Sequence, residues 1–178
     1  MRRGLATSRT QAREFIESRR VQIAKVVAAK PATQVETSVA IEVLPARQGD
    51  DYVSRGAHKL LGALKAFEGQ FPPIAGATCL DAGASTGGFT EVLLRRGAAK
   101  VIAVDVGYGQ LAWKLRSDPR VKVVERTNIR TLDPEVVGSP PSLVVADLSF
   151  ISLTLVLENL VRCAPGATMI LMVKPQFE

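Results

Sequence analysis

The chain is short of the residues that mark several common architectures. It has two cysteines in 178 residues, Cys79 inside an apolar run and Cys163 at the end of a helical pattern. That is neither a disulfide framework nor a metal-ligand spacing, so a reducing, cytoplasmic setting and no metal are expected. No uninterrupted apolar run reaches the roughly 18 residues that suggest a membrane span. The longest candidate, Leu143 to Leu157, is broken by Asp147 and by serines and a threonine. The arginines at the N-terminus have no apolar stretch behind them, which argues against a cleaved secretory signal. The single histidine, His58, sits on a predicted helix and is read as structural or facing a binding partner rather than as a general base.

What is present points to a globular protein with an uneven charge. Hydrophobic residues make up 47% and charged residues 22%, enough to build a core. Residues 1–59 carry 11 Lys and Arg against 6 Asp and Glu, while residues 60–178 carry 12 against 11. A basic front on a nearly neutral body suits a polyanion, because each neutralised phosphate releases counterions. In the front segment Ala12, Phe15 and Ile16 recur at helical spacing behind Ser8, a predicted N-cap. Arg9, Arg13, Arg19 and Arg20 cannot all join that apolar face, and they are the candidate RNA-binding residues. Alternation at Val21 and Ile23, and again from Val39 to Val43, predicts half-buried strands. The reading is a small α+β module over 1–44, a polar linker over 45–53, and a larger domain over 54–178.

The larger domain is predicted to open with a helix capped by Ser54, with Leu60, Leu61, Leu64 and Phe67 on its apolar face. From Ala77 onward β-branched runs alternate with amphipathic helices: TCLD, a helix from about Gly88, KVIAVD, a helix around Leu111 to Leu115, VKVVE, SLVVAD, a helix from about Ser152, and TMILMV. That is the pattern of a mostly parallel sheet with helices on both faces, which binds ligands beyond the carboxyl ends of its strands.

The stretch CLDAGASTGGFTEVLL, residues 79–94, reads as a strand, a glycine turn and a helix start. Gly83 is followed by Ala84 and Ser85, so the second glycine of a dinucleotide fingerprint is missing. The turn closes on Gly87, Gly88 and Phe89, without the lysine of a triphosphate-binding loop. Asp81 precedes the turn, where a carboxylate suits a ligand that carries an ammonium and a sulfonium, as S-adenosylmethionine does. Asp105 ends the next strand and can accept hydrogen bonds from ribose hydroxyls; alternatively it caps its own loop. The loop at Thr127, Asn128 and Ile129 lies where an adenine could be covered, or is an ordinary polar loop. The candidate cofactor residues are Asp81, Gly83, Ala84, Ser85, Thr86, Gly87, Gly88, Phe89, Asp105, Val106 and Asn128.

The blocks VSRGAHKL, LDAGASTGGFTEVLL, VIAVDVGYGQLAWKLR, ERTN, VVADLSFISL and VKPQFE resemble the TlyA (haemolysin A) family of S-adenosylmethionine-dependent ribosomal RNA ribose methyltransferases. The resemblance implies a Rossmann-like α/β sheet with an FtsJ-like catalytic domain and, in front of it, a ribosomal-protein-type RNA-binding module. It implies ribosomal RNA or ribosomal subunits as partner and 2′-O-methyl transfer as the reaction. It matches Lys59 to the first lysine of the family's Lys-Asp-Lys-Glu catalytic set. Asp147 and Lys174 close neighbouring predicted strands, so both should project into one crevice, with Lys174 as the base for the hydroxyl and Asp147 orienting it. Two departures stand out. ESRRV replaces the glycine that usually turns between the module's helix and strand. The chain also begins inside the module's first helix and ends at Glu178, so the resemblance implies that both domains continue further and that the family's glutamate lies beyond Glu178. A non-catalytic ribosome-docking protein is the alternative reading, and a membrane-active haemolysin the least favoured one.

Overall fold

The computed structural model describes residues 3–6, 8–17, 19–28, 30–44 and 51–178. These form two compact units, Met1–Asp51 and Tyr52–Glu178. Most of the expected linker, 45–50, lies outside the described residues.

In the first unit, helix α1 (Arg9–Glu17) starts as its sequence predicts, with Ser8 Oγ accepting the Gln11 N–H at 3.1 Å. Its end explains the missing glycine. Arg19 takes the left-handed conformation (φ 57°), the Arg20 N–H returns to Phe15 O and the Arg19 N–H to Ile16 O, both at 2.9 Å. That is a Schellman ending with arginine where glycine is usual, and a Cβ there costs roughly 1–2 kcal/mol. Strands β1 (Val21–Ile23), β2 (Val26–Val27) and β3 (Ile41–Val43) form an antiparallel sheet in the order β2-β1-β3. The alternation from Val39 therefore overreached at its front: Val39 lies in a turn.

In the second unit, helix α2 (Gly56–Ala66) is followed by β4 (Thr78–Ala82), α3 (Gly88–Arg95), β5 (Lys100–Val104), α4 (Trp113–Arg116), β6 (Val121–Val124), α5 (Pro134–Val137), β7 (Leu143–Ala146), α6 (Leu157–Cys163) and β8 (Thr168–Leu171). The five strands pair in parallel in the order β6-β5-β4-β7-β8. The chain runs outward from β4 through β5 to β6, then returns to the other side of β4 for β7 and β8. The switch point thus lies between β4 and β7, where the carboxyl ends open a crevice. One face of the sheet is covered by α2, α3 and α4 through Leu60, Leu64, Val92, Leu93 and Leu115, the other by α5 and α6 through Val137, Leu160 and Cys163.

Two expectations about α2 are corrected. Ser54 is not its N-cap: Arg55 is already in the helical conformation, and no side chain caps this end. Ser54 instead takes the Ala57 N–H on its carbonyl. Phe67 falls one residue past the helix and is half exposed, so the buried face is Ala57, Leu60 and Leu64. Tyr52 and Val53 belong with the second unit: the Val53 N–H reaches Glu91 Oε2 at 2.6 Å, and the Arg95 guanidinium lies over the Tyr52 ring at 4.2 Å.

Candidate active site

The site is built from the carboxyl ends of β4, β5, β7 and β8. Past β4, Gly83 turns the chain with φ 86°, and the N–H groups of Gly83 and Ala84 both return to Val104 O, at 2.8 and 3.1 Å. Ser85 comes next with φ 49°, and its N–H donates to Asp105 Oδ2 at 2.7 Å. The other oxygen, Oδ1, takes the Gly107 N–H at 2.7 Å. Asp105 therefore fastens the glycine turn to its own loop and keeps one further lone pair on each oxygen. Both readings of this residue stay compatible with its place.

Gly87 and Gly88 are small for a reason that the sequence did not disclose. A Cβ on Gly87 would stand 2.2 Å from Leu115 Cδ1, and one on Gly88 would stand 2.4 Å from Ser54 Oγ and 2.8 Å from Ala57 N. The space is taken by α4 and by the start of α2, so these glycines let two helices close on α3. Phe89 is likewise mostly core.

A crevice of about 550 Å³ opens beside the turn, lined by residues 54–56, Lys59, residues 83–86, Gly88, Phe89, Asp147, Ser149 and Lys174. It brings Lys59, Asp147 and Lys174 together. Lys59 Nζ donates to Asp147 Oδ2 at 2.7 Å. Lys174 Nζ forms an ion pair with Oδ1 at 2.7 Å, while its well-directed hydrogen bond goes to Ser149 Oγ, also at 2.7 Å. Lys59 is 46% exposed, but Asp147 and Lys174 are only 17% and 16% exposed, so the pair sits in the crevice wall rather than in bulk water. Burial acts to raise the Asp147 pKa, yet the bonds and charges of Lys174 and Lys59 outweigh it and hold the carboxyl below its ordinary range.

Asp81 stands behind the turn, 1% exposed, and does not line the crevice. Its Oδ2 accepts the Thr90 hydroxyl at 2.6 Å, whereas Oδ1 is buried with no hydrogen-bond partner. Burial pushes its pKa up to about 7, against the Thr90 bonds that lower it and with the Asp105 and Asp147 charges adding to the rise. Gly87, Asp105, Val106 and Asn128 are not among the residues that line the crevice; Asp105 touches it only through its bond to Ser85, Val106 is largely exposed and Asn128 caps the turn of 129–131 through Arg130 N. Ile129 is buried in the core and cannot cover a ligand. Glu178 takes the Ser152 hydroxyl and the Leu153 N–H on its two oxygens and so caps the turn of 153–155. His58 is exposed and lies edge-on to Tyr52.

Of the basic residues in the first unit, Arg9, Arg13 and Arg19 are exposed. Arg20 is committed internally: Nε donates to Leu44 O at 2.9 Å and the guanidinium lies over the Phe15 ring. Sequence reasoning missed Ser149, Thr90 and Glu91. Ser149 had a faint signal, standing two residues after a strand-end aspartate.

Residues 52–178 match the FtsJ-like methyltransferase family, and residues 2–41 match the S4 domain. The chain is 60% identical over 179 residues to the 16S/23S rRNA (cytidine-2'-O)-methyltransferase TlyA of Mycobacterium tuberculosis, covering 100% of this chain and 65% of that protein. It is 38% identical over 177 residues to Hemolysin A of Brachyspira hyodysenteriae, covering 98% and 71%. A solved structure of a protein from Streptococcus thermophilus, named as a hemolysin, superposes with a TM-score of 0.71 at 38% identity, over 99% of this chain and 64% of that one. The chain thus spans about 65% of the length of the curated relative from M. tuberculosis. Among the described residues, no helix is long and apolar enough to cross a membrane. The chain belongs to the FtsJ-like methyltransferase family, with an S4 domain in front.

Proposed function

We propose that this FtsJ-like methyltransferase acts on ribosomal RNA, moving a methyl group from S-adenosylmethionine to a ribose 2′-hydroxyl. The observation that carries the reading is one carboxylate, Asp147, bridging Lys59 and Lys174 in the wall of a crevice floored by the glycine turn. The 16S/23S rRNA (cytidine-2'-O)-methyltransferase named among the relatives supports the substrate class.

The residues present fit the cofactor. The turn of 83–86 supplies backbone at the crevice floor, and Asp105 has lone pairs left for ribose hydroxyls. The buried, unpartnered Oδ1 of Asp81 lies behind the turn, outside the crevice lining, and is an acceptor suited to an ordered water that links it to an ammonium group. When bound, S-adenosylmethionine supplies a methyl group on a positive sulfur, which needs no further activation.

The harder task falls to the chain. A ribose hydroxyl attacks well only as its proton leaves, and the leaving proton needs an acceptor within hydrogen-bonding reach. Lys174 Nζ is that acceptor. The lone pair of its neutral amine takes the hydroxyl proton as the oxygen–methyl bond forms, and the ammonium so made pairs with Asp147 Oδ1. Asp147 then keeps Lys59 as a cation that orients the ribose or its phosphate, and Ser149 holds Lys174 in place during the transfer. The exposed Arg9, Arg13 and Arg19 of the first unit bind RNA phosphates. The test is incorporation of a labelled methyl group into ribosomal RNA, with nuclease digestion to locate it. The label should appear on ribose oxygen; label on a base would overturn the assignment.

A further inference from the structure

Glu91 is a carboxylate that the reaction does not use, yet it is nearly buried and collects donors from three segments. Its Oε2 takes the Val53 N–H at 2.6 Å. Its Oε1 takes Lys114 Nζ at 2.7 Å, Arg95 Nη2 at 2.7 Å and Arg95 Nε at 3.1 Å. The side chain is 6% exposed. A buried carboxylate is costly unless its lone pairs are filled, and here they are.

Two of the donors, Val53 and Lys114, lead to different walls of the crevice. Val53 immediately precedes Ser54, which lines the crevice, and lies one turn before the helix that carries Lys59. Lys114 belongs to α4, whose neighbour Ala112 donates its N–H to Thr86 O of the glycine turn, and whose Leu115 fills the space beside Gly87. Arg95 closes the arrangement by stacking on Tyr52. Glu91 itself projects from the first turn of α3, directly behind the glycine turn.

We infer that Glu91 is a positioning residue, which locks the entry to the Lys59 helix and the segment after Asp105 onto the glycine turn, so that the lysine and cofactor sides of the crevice keep one register. The inference rests on the reading of the crevice as a cofactor and ribose site. Two routes leave one carboxylate, one through an N–H and one through an ammonium, and they can be cut separately. In Glu91→Gln the amide oxygen still accepts from Val53, but its NH₂ faces Lys114 and Arg95 and cannot accept. Lys114→Met cuts the same route from its other end, and Glu91→Ala cuts both.

Amide hydrogen exchange on the whole chain reads these routes without any turnover. In Glu91→Ala, residues 53–60 and 107–116 should both exchange about tenfold faster, the scale of losing a charge-assisted bond. In Glu91→Gln and Lys114→Met only 107–116 should speed up, and β4 and β7 should keep wild-type rates in all three. Titration with S-adenosylmethionine should show about tenfold weaker binding in Glu91→Ala. Faster exchange spread evenly over the sheet, or no change in either segment, would overturn the inference. Loosening of 53–60 by Glu91→Gln to the same degree as by Glu91→Ala would do so too. A wild-type chain that binds no S-adenosylmethionine contradicts the reading of the crevice instead, and the exchange pattern still decides the role of Glu91.

Discussion

Lys174 Nζ stands 2.7 Å from Asp147 Oδ1, although 27 positions separate the two residues in the chain. The approach comes from topology: β7 and β8 are parallel neighbours in register, Ala146 opposite Leu171, so the residues just past the two strands meet at the same edge of the sheet. Asp147 anchors both lysines, so in the proposed reaction the proton acceptor and the cation beside it are held by one group.

The first prediction tests that division of labour. Lys174→Met and Lys174→Arg should each lower single-turnover methyl transfer by about 100-fold or more, the usual scale for removing a general base. A guanidinium cannot accept the proton at working pH. Affinity for S-adenosylmethionine should stay within about twofold, because the change appears in the chemical step. Wild-type transfer rates in either variant would remove Lys174 from its role.

A second prediction concerns Asp81 and pH. Its folded pKa of about 7 lies above the ordinary value of about 3.9 for an unfolded chain. Between those values the folded chain keeps a proton that the unfolded chain has released. Stability should therefore fall as pH rises from about 4 to about 7, and Asp81→Asn should remove that part of the slope. A cationic ligand needs the ionised form, so S-adenosylmethionine should bind more tightly at pH 8 than at pH 6, with proton release on binding at pH 6. Calorimetry in buffers of different ionisation heat measures this. Binding that is independent of pH and exchanges no proton would show that Asp81 does not sense the cofactor.

Gly88 provides a test of packing. Gly88→Ala places a methyl group on Ser54 Oγ and Ala57 N, so α2 must move off α3, at a cost of about 1–3 kcal/mol in urea unfolding. Gly62→Ala on the same α2 meets nothing within 4 Å and should stabilise by about 0.5–1 kcal/mol through helix propensity. Equal effects of the two would mean that α2 does not sit tightly on α3.

Much of this arrangement was legible in the sequence, and the parts that were not have a common cause. The strand ends were readable because β-branched runs stop at Asp81, Asp105 and Asp147 before turn residues, and parallel strands put such ends at one edge. Lys59 joined them only through the family resemblance, since a helical lysine looks like any solvated one. The sequence places Gly87 and Gly88 among the candidate cofactor residues, whereas helix packing accounts for their lack of a side chain. Only the i,i+4 pairing of Glu91 with Arg95 follows a local spacing; its contacts with Val53 and Lys114 span 38 and 23 positions, which no local pattern reveals. Arg19 shows the converse: the hydrogen bonds of the helix end impose a left-handed residue where the sequence offers no glycine.

Electrostatics of the first unit leads to a prediction that the structure sharpens. Since Arg20 is held by Leu44 and Phe15, the exposed Arg9 and Arg19 are the better probes of phosphate contact. Changing both to Ala should reduce the dependence of RNA affinity on log salt by about 1.4–1.8, each contact contributing about 0.7–0.9. Filter binding across a salt series measures the slope, and an unchanged slope would place the RNA contacts elsewhere.

The central claim is that the crevice beside the glycine turn holds S-adenosylmethionine, and isothermal titration of the wild-type chain tests it most directly. The account predicts saturable one-to-one binding that S-adenosylhomocysteine displaces, that Asp105→Ala weakens by about tenfold or more through loss of its hydrogen bonds, and that neither NAD nor ATP affects. An absence of saturable heat, or displacement of the bound cofactor by ATP, would contradict it.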